Sequence, residues 1–312
     1  MTGQRALPAD LPDVLAVPAP HDAATMLVAI VAVSTSGPLM AATAAPALAI
    51  AFWRNGLAAG ALVPWTLLRH RAELRSLPGR QRALAVVAGA LLAVHFATWV
   101  PSLTYTSVAS ATALVSTQPI WAALLAHRAG ARIAPAAWAG IVVAVLGAAV
   151  LTGADVHASG RALVGDLLAL VGGLFAAGYM VAGSEVRRHV STATYTTVCY
   201  TTTALLLLLC CAAGRVELTG YSSSAWWRLV AVTAGAQFLG HSLFNRVLRR
   251  VSPTMVSLAI LFEVPGAATI AAVWLHQRPH AAAVPGLLLL LIGIGLVIAA
   301  RERGTAPSLP VE

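Results

Sequence analysis

The chain has 312 residues, of which 59% are hydrophobic and only 10% are charged. Soluble domains carry about 25% charged residues, so a chain this apolar has too little polar surface to be a soluble protein. The net charge of +9 comes from arginine alone, and the arginines cluster in short loops between apolar segments. This distribution is typical of a membrane protein and argues against nucleic-acid binding.

Apolar segments of bilayer length follow one another along the chain. A helical span needs roughly 20 apolar residues, and we expect the connections to be too short to hold a soluble domain. The sequence therefore predicts an all-α integral membrane protein of ten transmembrane helices. The predicted spans are residues 26–45, 47–67, 83–103, 107–126, 135–152, 162–182, 193–213, 226–245, 254–274 and 282–300.

The arginines also predict the orientation of the chain in the membrane. With a cytoplasmic N-terminus, 15 of the 20 arginines fall on the cytoplasmic side and four lie in outer loops. Because cytoplasmic loops are enriched in basic residues, we expect both termini to be cytoplasmic. Residues 1–25 are then a disordered cytoplasmic leader, and residues 302–312 form a cytoplasmic tail.

Glycine and proline recur at matching places in the two halves of the chain. The matches, each at an offset of 146, are Pro119 with Pro265, Gly140 with Gly286, and Gly147 with Gly293. Each set marks the fourth and fifth span of a five-span unit, and an odd number of spans forces the second unit to insert upside down. The sequence thus predicts two inverted five-helix repeats, 26–152 and 162–301, an architecture of secondary transporters.

Polar side chains occur at helical spacing inside two of the predicted spans. The first stripe is His95, Trp99 and Ser102, and the second is Gln237, His241 and Asn245. These spacings place each stripe on one helix face. Because hydrocarbon does not solvate polar groups, each stripe should face a cavity or a neighbouring helix. For the two histidines, a proton relay and a packing role both remain open.

Two charged residues are predicted at membrane depth. Glu263 is the only acidic residue near the middle of a span, where it should be protonated, paired or facing water. It either titrates or pairs with a substrate cation, or it serves structure as a partner of Arg54 or a helix cap. Arg54 could bind a substrate carboxylate through its planar guanidinium. The alternative roles for Arg54 are a static ion pair with Glu263 and snorkelling to the outer interface.

Gln118 directly precedes a proline in the fourth predicted span. Pro119 frees a carbonyl and bends the helix, so Gln118 is expected to line a cavity at this bend, with a simple kink as the alternative. Trp99 offers a flat surface to organic cations or aromatic groups.

Two long stretches of the chain resemble a known family. Residues 95–121 read HFATWVPSLTYTSVASATALVSTQPIW, and residues 240–268 read GHSLFNRVLRRVSPTMVSLAILFEVPGAA. They resemble helices three and four, and helices eight and nine, of the EamA family in the drug/metabolite transporter superfamily. The resemblance runs from about residue 26 to 301. It implies an inner-membrane carrier with two inverted repeats that exports amino acids, related metabolites or drugs.

The chain departs from the family pattern at three places. Members often carry Leu-Gly-Glu at the ends of helices four and nine. In this chain, Ala131 and Gln277 stand at the positions of the two glutamates. Both carboxylates are therefore missing, which weakens any coupling scheme that uses them. The family's Glu-Pro-Val-Gly appears here as Glu-Val-Pro-Gly, beginning at Glu263.

Together these features predict a secondary carrier that moves a small polar or amphipathic metabolite outward by alternating access. We expect no enzymatic activity, cofactor, metal site or nucleic-acid partner, and proton coupling is a hypothesis motivated by Glu263 and the histidines. The alternatives are an intramembrane lipid-modifying enzyme and a membrane scaffold or sensor. The oligomeric state stays open. The expected cavity lining is Arg54, His95, Trp99, Ser102, Gln118, Gln237, His241, Asn245 and Glu263.

Overall fold

A computed structural model describes residues 18–247, 250–251 and 253–303. All regular secondary structure in these ranges is helical, which agrees with the all-α prediction. Most of the predicted leader and tail lie outside them. The helices are α1 (Pro20–Ser34), α2 (Ser36–Ala41), α3 (Ala47–Arg69), α4 (Arg71–Arg75), α5 (Gly79–Ser102), α6 (Val108–Val115), α7 (Gln118–Arg128), α8 (Pro135–Ala158), α9 (Ala162–Arg187), α10 (Thr192–Ala213), α11 (Ser223–Val232), the π-helix π1 (Thr233–Gly240), α12 (His241–Val247), α13 (Pro253–Ile260), α14 (Glu263–Trp274) and α15 (Ala283–Arg303).

Nine candidate membrane spans occur within the described residues, judged by length and apolar composition. The predicted span 226–245 is not among them. The chain is helical there and forms α11, π1 and α12 in succession. Elsewhere the boundaries differ by a few residues. Helix α1 begins at Pro20, inside the predicted leader, and α15 continues to Arg303.

The two repeats meet along their last helices, α8 and α15, which form the most extensive helix pair of the structure. A Cβ atom added to Gly140 would lie 2.8 Å from the carbonyl oxygen of Gly293. One added to Gly286 would lie 2.9 Å from the carbonyl oxygen of Gly147. The repeated glycines therefore let the two helix backbones approach closely, as small residues do in membrane bundles.

The fourth helix of each repeat is broken at a corresponding place. Helix α6 ends at Val115 and α7 begins at Gln118, and in the second repeat α13 ends at Ile260 and α14 begins at Glu263. A proline follows each break and cannot donate a backbone hydrogen bond to the preceding turn. Each break thus leaves a half-helix N-terminus inside the predicted bilayer.

Large apolar side chains are exposed along most of the long helices, among them Leu68, Trp227 and Val273. Such a surface is expected where lipid covers the protein, because lipid tails are as apolar as the side chains. Polar side chains at membrane depth are instead buried between the helices, including Arg54, Asn55 and Gln237.

Candidate functional site

Arg54 lies in the first half of α3 and is only 4% exposed, so it does not snorkel to an interface. Its Nε donates a hydrogen bond to Oε1 of Gln237 at 3.0 Å. Its Nη1 donates to Oγ of Ser36 at 2.8 Å and contacts Sδ of Met40 at 3.6 Å. The guanidinium therefore joins α3 to α2 and π1 through neutral partners.

Two aromatic rings of α5 cover the same guanidinium. The Arg54 Cζ lies 4.8 Å from the centroid of Phe96 and 5.9 Å from that of Trp99. At these distances the ring faces attract the cation. We call Arg54, Gln237, Ser36, Phe96 and Trp99 the Arg54 cluster.

Gln237 reaches Arg54 from the π-helix. It is 6% exposed, and its Nε2 has no hydrogen-bond partner among the described residues. A π-helix is rare and is frequently found at functional sites. The hydroxyl of Thr233, at the start of π1, donates to the carbonyl oxygen of Leu229 at 2.8 Å and lies 3.5 Å from the carbonyl oxygen of Arg54 on α3.

Glu263 and Tyr200 interact electrostatically with Arg54. Among the ion pairs of the described residues, none joins Arg54 to Glu263, so the predicted static ion pair is not formed as a direct contact. Glu263 is half-buried at the first position of α14. The positive end of a helix dipole favours a carboxylate at this position.

The predicted stripe on α5 is divided between different contacts. His95 stacks on Trp99 with ring centroids 5.5 Å apart, and its Nδ1 lies 3.0 Å from the carbonyl oxygen of Gly172 on α9. Because a carbonyl only accepts, Nδ1 is the donor there. Ser102 is fully buried and donates to the carbonyl oxygen of Trp99 at 2.6 Å, within its own helix.

The remaining predicted site residues lie apart from these contacts or outside the description. Gln118 is half-buried at the start of α7, and no hydrogen bond joins it to Arg54 or Gln237. The side chains of His241 and Asn245 lie outside the described part of the structure. The structure thus brings together Arg54, Gln237 and Trp99, with His95 stacked on Trp99.

Three residues around Arg54 were not predicted: Ser36, Met40 and Phe96. Phe96 and Trp99 are three residues apart, a spacing that shares a helix face and could have indicated Phe96. The Gly37-Pro38 pair could have drawn attention to Ser36, because it follows the junction of α1 and α2. We find no sequence signal for Met40.

The Arg54 cluster is enclosed by protein. Arg54, Trp99 and Gln237 are each more than nine-tenths buried. Two surface grooves among the described residues include no member of the cluster. One is lined by Leu27, Val28, Val31, Ala32, Thr35, Gly235 and Leu239, and the other by Val63, Leu67, Leu74, Thr197, Val198, Thr201 and Thr202.

Comparisons with known proteins place this arrangement in a family. A solved chain, described only as a crystal structure of a protein, is 20% identical with a TM-score of 0.60, and the match covers 90% of this chain and 99% of that one. At this identity the likeness shows the fold alone. No curated protein matches the sequence. The EamA-like transporter family matches residues 23–153 and 163–299, one match in each predicted repeat, so the predicted family is confirmed. The chain belongs to the EamA-like transporter family and is a multi-pass membrane transporter.

Proposed function

We propose that this transporter is a ten-helix secondary carrier of the inner membrane, with both termini cytoplasmic, that exports a small metabolite bearing a carboxylate. Alternating access of the two inverted repeats would move the substrate, and the Arg54 cluster would bind it. The observation that carries the proposal is the burial of Arg54 among neutral hydrogen-bond partners.

A buried guanidinium without a direct anionic partner is costly to maintain. Arg54 stays protonated at every relevant pH, and burying its charge without compensation costs several kcal/mol. Its hydrogen bonds use Nε and Nη1, so Nη2 carries none to a described residue. A substrate carboxylate at that edge would supply the missing charge and a strong hydrogen bond.

Other groups of the cluster favour the same class of ligand. The Nε2 of Gln237 and the Nε1 of Trp99 are buried donors without a partner among the described residues. Buried donors are normally hydrogen-bonded, so two such groups beside Arg54 favour a ligand rich in acceptors. Glu263, which interacts electrostatically with Arg54, would attract an ammonium group on the same ligand, and this would suit an amino-acid-like compound.

Proton antiport is the coupling that this arrangement favours. No phosphate-binding loop is evident in the sequence, so the energy would come from an ion gradient. Glu263 is a half-buried carboxylate in the electrostatic range of Arg54. Uptake of a proton at Glu263 would change the charge balance of the cluster and so couple proton binding to substrate release.

The test is an untargeted comparison of metabolites in the growth medium of cells that produce the wild type, R54Q, R71Q or no transporter. Arg71 is an exposed arginine of α4, outside the cluster, and provides the matched control. We expect one class of carboxylate-bearing compounds to rise with the wild type and R71Q but not with R54Q. Equal media with and without the wild type would contradict efflux, and an equal rise with R54Q would contradict the role of Arg54.

A further inference from the structure

A second buried polar group lies where α8 ends and α9 begins. Asp166 on α9 is fully buried, Asp155 near the end of α8 is 8% exposed, and Thr106 in the turn before α6 is 9% exposed. We call these three residues the Asp166 group. The sequence predicts that this end of the helices is the outer one.

The three side chains face one another. Thr106 lies beside both carboxylates, and the two carboxylates interact electrostatically. Close packing holds Thr106 in this place, because a Cβ atom added to Gly165 would lie 2.8 Å from the backbone nitrogen of Thr106. A larger residue at position 165 would therefore push the turn away from Asp166.

The carboxylates of the Asp166 group have hydroxyl groups beside them but, among the described residues, no completed hydrogen bond to Asp166. Oδ1 and Oδ2 of Asp166, Oδ2 of Asp155 and Oγ1 of Thr106 are all buried without a hydrogen-bond partner among the described residues. None of the ion pairs in that part of the chain involves either aspartate. Two buried carboxylates without a compensating charge are strongly unfavourable.

The other polar groups packed against the Asp166 group form no ion pair that would compensate the negative charge of its carboxylates. Ser110 and Thr152 contribute hydroxyl groups beside Asp155 and Asp166. His280, from the connection before α15, interacts electrostatically with Asp155 only. Arg161 lies with its Cζ 5.4 Å from the ring centroid of Tyr105, and none of the ion pairs among the described residues joins it to Asp155 or Asp166.

We propose that Asp155, Asp166 and Thr106 bind a small hard metal cation through their oxygen atoms. Carboxylate and hydroxyl oxygens are the donors that hard cations prefer. Asp155, Asp166 and Thr106 offer only oxygen donors, which suit a hard cation better than a transition metal that prefers imidazole or thiolate. One cation can contact all four unpartnered oxygens at once, whereas a single proton shared between the two carboxylates would bridge only two of them.

The test measures the thermal unfolding of the purified full chain in detergent, at constant pH and ionic strength, in choline, sodium or calcium chloride. We expect sodium or calcium to raise the Tm of the wild type by about 3 °C or more relative to choline. D166N and D155N should lose this shift. E217Q, which changes an exposed glutamate outside the group, should keep it.

Equal Tm values of the wild type in the three salts would overturn the proposal, as would a full shift in both aspartate variants. If D166N does not fold, the proposal is tested by D155N and by the Tm of the wild type in the three salts. A Tm that responds to pH but not to the metal cations would assign the group to protonation and would also overturn the proposal. None of these outcomes depends on transport, so the cation site and the substrate site fail separately.

Discussion

In the Arg54 cluster the unpartnered buried groups are the donors of Gln237 and Trp99, whereas in the Asp166 group they are oxygen atoms, mostly carboxylate acceptors. The first group consists of a guanidinium edge, an amide and an indole N–H, and the second of two carboxylates and a hydroxyl. Both lie inside a bundle whose surface is apolar. The difference indicates ligands of opposite charge, an anionic group at the first and a cation at the second.

Glu73 shows how a carboxylate with a structural role is bound in the same protein. Its Oε1 accepts from the backbone nitrogen of Ser191 at 2.7 Å, and its Oε2 accepts from the hydroxyls of Ser191 at 2.5 Å and Thr194 at 2.6 Å. It therefore caps the start of α10 from the neighbouring helix α4. Because both Glu73 oxygens are satisfied and both Asp166 oxygens are not, Asp166 does not resemble a structural carboxylate.

The largest expected effect breaks the donor-rich side of this comparison. R54Q should reduce the initial rate of transport roughly thirtyfold, because losing a buried charge partner of a substrate carboxylate costs about 2 kcal/mol. The measurement is uptake of the exported metabolite into proteoliposomes. R54K should recover little activity, because lysine lacks the planar fork. An unchanged transport rate in R54Q would contradict substrate binding at Arg54. If R54Q keeps the metal-dependent Tm shift, the Arg54 cluster and the Asp166 group act independently.

Glu263 sharpens the comparison because it is an acidic group next to the donor-rich cluster. E263Q removes the titratable group and preserves its shape, so the rate driven by a pH gradient should fall about tenfold, equivalent to about 1.4 kcal/mol. Exchange without a gradient should change far less. The measurement uses proteoliposomes with and without an imposed pH gradient, and E217Q is the control. Gradient-driven transport at the wild-type rate in E263Q would rule out proton coupling at this residue.

Glu73 provides a pH test of the structural carboxylate. Burial raises the pKa of Glu73, but hydrogen bonds from Ser191 and Thr194 outweigh it, so the pKa in the folded state lies below the ordinary value of 4.5. The stability that it contributes is complete above the unfolded-state value and is lost as the pH falls through the lower folded-state value. E73Q should therefore cost about 1 kcal/mol near neutral pH and less in acid.

This prediction is checked by unfolding the purified protein in detergent at several pH values. E185Q is the control, because Glu185 forms surface ion pairs with Arg80 and Arg188, which contribute little. If E73Q and the wild type differ by the same amount at neutral and acid pH, the cap does not depend on the charge of Glu73.

The smallest expected effect concerns Ser102, which the sequence predicts as a cavity residue. Its hydroxyl donates to the carbonyl oxygen of Trp99 in the same helix, so no hydrogen-bonding capacity directed at a ligand is evident. S102A should change the transport rate by less than about twofold. A much larger loss in the proteoliposome assay would return Ser102 to the substrate site.

Part of the candidate site follows from the sequence. Spacing along a helix places His95 and Trp99 on one face, and the scarcity of charge inside predicted spans singles out Arg54 and Glu263. The same reasoning does not identify Asp155 and Asp166 as site residues, because both lie close to a predicted loop, where acidic residues are ordinarily solvated. Their burial depends on the packing of the turn at Thr106 against Gly165.

For the fold, too, some features follow from the sequence and others depend on packing between distant segments. Repeated Gly140 and Gly147 predict close helix packing, but the sequence does not say that their partners are Gly293 and Gly286 of the other repeat. The π-helix Thr233–Gly240 has no signal in the apolar pattern, since the composition of a π-turn does not differ from that of an α-turn. Hydropathy predicts a span at residues 226–245 but gives no indication of the π-helix inside it, from which Gln237 contacts Arg54.

The amino-acid sequence is enough to show that this protein crosses a membrane, belongs to a two-repeat transporter family, and carries polar groups at the depth of the lipid tails. These properties depend on hydropathy and periodicity, which are local. The contacts of Arg54 with Gln237 and two aromatic rings, and the joint burial of two aspartates near helix ends, are visible in the folded structure alone. Such contacts depend on which helix faces meet, and that is set by close packing between segments far apart in the chain.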